Sequence, residues 1–206
     1  MMEQRSEEWF QARLGKVTAS RLNDVIATVR SGGESASRRA YRIQLVTERL
    51  TGNVTKTFVN EAMQHGIDTE DEARNFYIFQ RDLVEECGFY THPTIEMSGA
   101  SPDGLVNDDG LLEIKCPQPH NHTETLISRQ VPSKYVNQVQ WQMASVGKHI
   151  QWVDFVSYCP SFPEELKMFV ARVDRDENII KMLETEVNKF LTEVDDTVQF
   201  LKQGVQ

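Results

Sequence analysis

The segment SPDGLVNDDGLLEIKCP, Ser101 to Pro117, constrains the fold of this chain more than any other. Leu111, Leu112, Ile114 and Cys116 form a run that is apolar almost throughout, the texture of a strand covered on both faces. Glu113 and Lys115 interrupt it at alternate positions, so both point to one face and Ile114 to the other. A carboxylate and an ammonium are costly in such a strand unless they have partners or a task. NDDG is a hairpin signal, and the hairpin returns Asp103 to the side of Glu113. Two readings follow from these residues alone. One is a surface hairpin with a solvated Glu–Lys pair. The other is an oxygen-rich site for Mg²⁺ or Mn²⁺, which take one or two carboxylates plus waters and substrate phosphate. The second describes metal-assisted hydrolysis of a phosphodiester, with Lys115 orienting water or stabilising developing negative charge.

The surrounding pattern predicts what carries this strand. Trp9, Phe10 and Leu14 mark one apolar face of a short first helix. ASRLNDVIATV (19–29) predicts a second, capped by Thr18 or Ser20. RSGGESAS (30–37) is a Gly/Ser-rich mobile loop. A third helix is expected from about Arg38 to Leu50, stopping at Gly52, and a fourth over roughly Thr57 to Gln80, with an interruption possible at Gly66. Strands are expected at Leu83–Tyr90, Thr94–Met97, Ala100–Val106 and Leu111–Cys116, then a helix at Ser133–Val146 and strands at Gln151–Tyr158 and Lys167–Val173. Ile180, Leu183, Val187, Phe190, Leu191, Val194, Val198 and Leu201 keep helical spacing along a closing helix. This order suggests an α/β or α+β sheet flanked by helices, and 206 residues fit one domain, 1–206.

Composition narrows the chemistry. The net charge of −9 argues against a broad nucleic-acid surface, so any basic groups for DNA must be local. Cys87, Cys116 and Cys159 form no CxxC pair and are expected to be reduced thiols. No apolar run approaches the roughly 20 residues needed to cross a bilayer, and the acidic N-terminus is unlike a signal peptide. A cytoplasmic protein is the expectation, with no membrane partner.

Ser101-Pro102-Asp103-Gly104 with Glu113-Ile114-Lys115-Cys116-Pro117 resembles the PD-(D/E)xK motif of restriction-endonuclease-like nucleases. More narrowly, the chain resembles the phage lambda exonuclease and YqaJ-like viral recombinase family of alkaline exonucleases. Arg13-Leu14-Gly15 with Val17-Thr18-Ala19-Ser20, Gly66 with Glu70 and Ala73-Arg74, and Tyr135 to Gln140 (YVNQVQ) match that family's linked motifs in order. The resemblance implies a central mixed sheet flanked by helices, with Asp103, Glu113, the Ile114 carbonyl and Glu70 as ligands to Mg²⁺, two ions per site, which Mn²⁺ can replace. It implies Lys115 as the catalytic lysine. Arg13, Ser20, Ser101 and Gln138 match a pocket for a terminal 5′-phosphate, Arg30 an arginine that reaches the DNA, and Met63 a wedge between terminal bases. Each has a plainer reading too: Ser20 as a helix cap, Glu70 as one acid on a solvated helix face, Met63 as core. His65 stands where the phage enzyme has an aromatic residue, and neither it nor Tyr41 receives a role.

The activity implied is a 5′→3′ exonuclease on linear double-stranded DNA. It would work as a ring-shaped homotrimer beside a single-strand annealing protein, encoded by a phage or prophage in a bacterial cytoplasm. An endonuclease of the same fold, or a DNA-end-binding module without turnover, would share these motifs.

Overall fold

The computed structural model describes residues 2–30, 33–55 and 61–204, without the side chains of Ala62 and Met63. The chain begins with α1 (Glu7–Arg13), whose N-cap Ser6 accepts a hydrogen bond from the Trp9 amide. It continues through β1 (Val17–Thr18), a 3₁₀ turn (Ala19–Arg21), α2 (Leu22–Val25), α3 (Ala36–Thr51) and α4 (Glu61–Gln80). Strands β2 (Val84–Glu85), β3 (Tyr90–Thr91), β4 (Ser98–Ala100), β5 (Gly104–Val106) and β6 (Gly110–Lys115) follow. Then come α5 (Pro119–Ser128), α6 (Ser133–Val146), β7 (Trp152–Tyr158), β8 (Met168–Asp174) and α7 (Glu177–Lys202).

Among the described residues there are two mixed sheets. The larger has the order β2-β5-β6-β7-β8, and the smaller β1-β4-β3. In the larger, β6 runs antiparallel to β5 and parallel to β7, so it is the interior strand that its apolar run predicts. Leu112 and Ile114 pack with Ala73 and Tyr77 of α4. Leu111, on the other face, packs with Val139 and Met143 of α6. Alternation therefore turns Glu113 toward α6. At the strand's start Gly110 faces Trp152 of β7, and any side chain there would run into the indole. Asp154, one strand over and 1% exposed, is matched by a two-pronged bond from Arg172 (2.9 and 3.0 Å) and by the Tyr77 hydroxyl (2.8 Å).

A second core joins α2, α3, α6 and α7 around Leu22, Tyr41, Leu45, Trp141, Leu183 and Phe190. α7 buries the expected row from Ile180 to Val198, but Leu201 is exposed. α3 ends at Gly52, whose φ of +69° closes the helix at little steric cost.

Several expectations are corrected. α5 had no forecast. The second helix stops at Val25, and neither Thr18 nor Ser20 caps it. The chain leaves the helix there to form a bridge between Thr28 and Glu34. Glu34 is in turn held by Arg38 and Arg42, so the described part of the 30–37 loop is anchored. The Ala100–Val106 run breaks at Pro102 into strands of two different sheets, because proline brings no N–H to a ladder. Neither Leu83–Tyr90 nor Thr94–Met97 forms a single strand. α4 passes through Gly66 unbroken, while the expected start of that helix at 57–60 lies outside the described residues. α1 buries none of its residues, and Phe10 is exposed.

Tyr41 acts within this framework. Its hydroxyl accepts from the Thr18 amide (3.0 Å) and donates to the Lys16 carbonyl (3.3 Å), fixing the β1 turn against α3. Tyr41→Phe leaves a buried backbone N–H unmet and should lower the unfolding free energy by about 1–2 kcal/mol, read from the urea midpoint.

Candidate active site

Pro102 ends the β5–β6 ladder, and the Asp103 side chain takes over where it stops. The Asp103 amide donates to the Leu112 carbonyl (3.0 Å), and the Ile114 amide donates to Asp103 Oδ2 (2.7 Å). That second bond places the Asp103 carboxylate beside Glu113, as the hairpin signal requires.

Glu113 is 1% exposed. Three donors converge on its carboxylate. Lys115 Nζ and Gln138 Nε2 reach Oε1, and Gln142 Nε2 reaches Oε2. Gln138 and Gln142 stand one turn apart on α6, the spacing that puts two side chains on one helix face. Burial, reinforced by Glu113, holds the Asp103 carboxyl well above the usual carboxylate range. Burial works against charge on Lys115 as well, but Glu113 and Asp103 outweigh it and hold the ammonium above its ordinary value.

The acids line a cavity of about 210 Å³ together with Glu70, Arg13, Ser20, Ser101 and Gln138. Glu70, on α4, is gripped by Arg5 (2.6 Å) and Arg74 (3.0 Å). Arg5 stands at φ +68°, a left-handed conformation that costs a non-glycine residue about 1 kcal/mol or more. On the far wall, Ser101 Oγ accepts from Trp9 Nε1 (2.8 Å) and Arg13 Nη1 (3.1 Å). The Arg13 guanidinium lies 3.9 Å from the centre of the Trp9 ring. Burial lowers its pKa to about 10, with Tyr41 and Glu48 acting in the opposite sense. No carboxylate pairs with Arg13 among the described residues. A desolvated cation beside two hydroxyl-bearing residues is suited to an anion.

The structure thus gathers Asp103, Glu113, Ile114, Lys115, Glu70, Arg13, Ser20, Ser101 and Gln138 around one cavity. Gln138 spends its amide on Glu113. Arg30 is exposed in the turn after Thr28 and does not line this cavity. The Met63 side chain lies outside the described residues. His65 is half-buried and receives the Thr69 hydroxyl on its own carbonyl (2.6 Å), a bond internal to α4. Sequence reasoning missed Arg5, Trp9 and Gln142. The last two lie four residues from Arg13 and Gln138, a spacing that could have found them.

Among the described residues no three acidic, His or Cys side chains come close enough together to hold a metal ion. Asp103 and Glu113, with the Ile114 carbonyl between them, still fit Mg²⁺, which needs only one or two carboxylates beside its waters. The Asp103 carboxyl is raised first by burial and then by the neighbouring Glu113, and a cation between them would relieve both.

The model of the YqaJ-like viral recombinase domain matches residues 8–149, which include these acids, Lys115 and the Arg13–Ser101 wall. The chain belongs to that family. A solved alkaline exonuclease (LHK-Exo) from Laribacter hongkongensis is 45% identical, over 96% of this chain and 97% of that one, with a TM-score of 0.88. The same enzyme in complex with dAMP superposes with a TM-score of 0.89, at the same identity and coverage. A phage related exonuclease from Haemophilus somnus 129PT shares the fold, with a TM-score of 0.73 at 14% identity over 90% of this chain and 96% of that one. No curated protein matches. The mixed sheet flanked by helices is therefore the alkaline exonuclease fold. Arg5 lies ahead of the part the family model covers, and α7 behind it.

Removing one of the paired carboxylates has a defined sign. A raised carboxyl pKa in the fold means stability from Asp103 is complete below the unfolded value near 4 and is lost as pH rises through the raised one. At pH 8 in EDTA, Asp103→Asn should therefore be more stable than the parent by about 1 kcal/mol, or roughly 2–4 °C in Tm. Calorimetry with and without Mg²⁺ checks this: Mg²⁺ should raise the parent's Tm and leave the variant's unchanged.

Proposed function

We propose that this protein is a Mg²⁺-dependent exonuclease that degrades one strand of linear double-stranded DNA in the 5′→3′ direction. It releases 5′-mononucleotides and leaves a 3′ single strand for phage-type recombination. The observation that carries this reading is that Lys115, bonded to Glu113, shares one cavity with Asp103, with Ser101 and with Arg13, which meets no carboxylate among the described residues. The 45% identity to a protein described as an alkaline exonuclease supports it, as does that enzyme's complex with dAMP, a 5′-mononucleotide.

Asp103, Glu113 and the Ile114 carbonyl would hold a divalent ion, which would supply Lewis acidity to a phosphoryl oxygen and make a bound water more acidic. Mn²⁺ suits the same oxygen ligands, and Glu70 could serve a second ion if Arg5 and Arg74 released it. Lys115, bonded to Glu113 at the edge of the same cavity, orients the attacking water or neutralises negative charge developing on the phosphoryl group. Gln138 and Gln142 keep the Glu113 carboxylate aimed. Arg13, Ser20 and Ser101 take the terminal 5′-phosphate, which sets the distance from the strand end to the bond at Lys115.

A homotrimeric ring around the DNA would reconcile this substrate with a net charge of −9, with basic groups inside and an acidic exterior. A single-strand annealing protein would take the 3′ strand, and the cytoplasm is the compartment. No described helix is long and apolar enough to cross a membrane.

The test uses duplexes labelled on either strand, with 5′-phosphate, 5′-hydroxyl or closed-circular forms. Mononucleotides should appear from the 5′-ended strand of linear DNA only, fastest with the 5′-phosphate. Lys115→Ala should slow release by about 10²–10³-fold, and Arg13→Ala should erase the preference for the 5′-phosphate. Cleavage of the circle, or loss of the 3′-ended strand, would contradict the proposal.

A further inference from the structure

A second cavity, of about 550 Å³, opens on the opposite flank of Lys115. That size falls within the range of sites for small molecules. Among the described residues Lys115 is the one that lines both this cavity and the acid cavity, so the two meet at its ammonium. The mechanism proposed above uses only the first.

The second cavity is built differently. It contains no close pair of carboxylates. One wall is aromatic: Tyr135 of α6 lies against Phe155 of β7, with ring centres 5.3 Å apart and planes at 30°. Two ammonium groups attend the Tyr135 ring, Lys115 at 5.5 Å and Lys134 at 4.9 Å from its centre. Phe155 is buried, whereas Tyr135 is only half-buried and remains accessible from the cavity. α6 begins at the rim with no side-chain cap; the Tyr135 amide donates to the Pro132 carbonyl (2.9 Å), which leaves the Ser133 and Lys134 amides at the start of a 14-residue helix. The amide side chain of Gln130 also lines the space. An aromatic face, a cation and the Ser133 and Lys134 amides together suit a nucleotide: the ring for a base, the cation and amides for a phosphate.

We infer that this cavity seats the nucleotide on the 3′ side of the scissile phosphate, the second from the 5′ end. The assignment rests on the exonuclease reading, which places the terminal 5′-phosphate at Arg13 and Ser101 and the scissile phosphate at Lys115. A strand entering from the first cavity and crossing Lys115 continues into the second. Its second base lies against Tyr135, and its next phosphate lies near Lys134 and the start of α6. Tyr135 thereby helps fix which phosphodiester stands at Lys115, without contact with any particular base edge.

The experiment is single-turnover release of the first nucleotide from 5′-phosphorylated duplexes, with Mg²⁺ and the full chain. One duplex is intact. Others carry a tetrahydrofuran abasic unit at nucleotide 1, 2 or 6. The parent should be slowed about tenfold by the missing base at nucleotide 2 and unaffected by that at nucleotide 6. Tyr135→Ala should be slowed to a similar degree on intact DNA and lose nothing more when base 2 is absent. Tyr135→Phe, which keeps the ring, should recover the discrimination. Lys134→Ala, at an exposed position, should raise KM rather than lower kcat and flatten its salt dependence. If Tyr135→Ala still discriminates against the abasic second nucleotide, the base does not sit there and the inference falls. If the variant is indifferent to nucleotide 1 instead, the cavity holds the departing nucleotide and the 3′ assignment is overturned. If the parent releases nothing from intact duplex, the exonuclease reading fails and this inference with it.

Discussion

Glu113 sits in the interior strand of the larger sheet with almost none of its surface exposed, and much of the structure is arranged around that fact. A lone carboxylate in such a place would carry a penalty of several kcal/mol. Lys115 answers it from the same strand, while Gln138 and Gln142 answer from α6. α6 is therefore held to one rotation about its own axis. Its apolar residues are committed too: Val139 and Met143 press on Leu111 and Val153, and Trp141 and Ala144 join the core made with α7. One helix thus links the two cores and orients the site between them.

The opposite wall depends on different interactions. The Arg13–Ser20 turn sends only Val17 and Ala19 into the core, and α1 buries nothing. Long-range polar bonds fix the rest of it. Tyr41 takes the Thr18 amide, buried Glu48 takes the Gly15 amide (2.9 Å), and Arg49 donates to the Gly15 carbonyl (2.9 Å). α3 thereby grips both sides of the Gly15 corner, and Arg13 is carried to Ser101. The cavity is assembled from a rigid acidic side on the larger sheet and a cationic side fixed by α3.

The strand bearing Glu113 and Lys115 was legible because a charged pair in a continuous apolar run admits few explanations. α6 and α7 were legible because their apolar periodicity is strong. α5 was not: HNHTETLIS is mostly polar, and only His122 and Thr125 turn inward. His122 is held there by Ser157 and the Leu166 carbonyl, both at 2.8 Å, partners that local sequence does not announce. The break between β4 and β5 was written in Pro102 and was overlooked. Arg5 could not have been found, since its partner Glu70 is 65 residues away and its backbone is left-handed without a glycine. Gln142 was within reach, because it stands four residues after Gln138 on the same face of α6 and meets the same carboxylate.

The account depends on Glu113 being kept buried among its three donors in order to hold a divalent ion with Asp103. The most direct measurement is calorimetric titration of Mg²⁺ and Mn²⁺ into the metal-free protein and into Glu113→Gln, with circular dichroism to establish that both are folded. The expected result is saturable uptake by the parent and at least a tenfold weaker uptake by the variant. Equal uptake by a folded Glu113→Gln would mean that the carboxylate at the centre of the sheet serves only the fold.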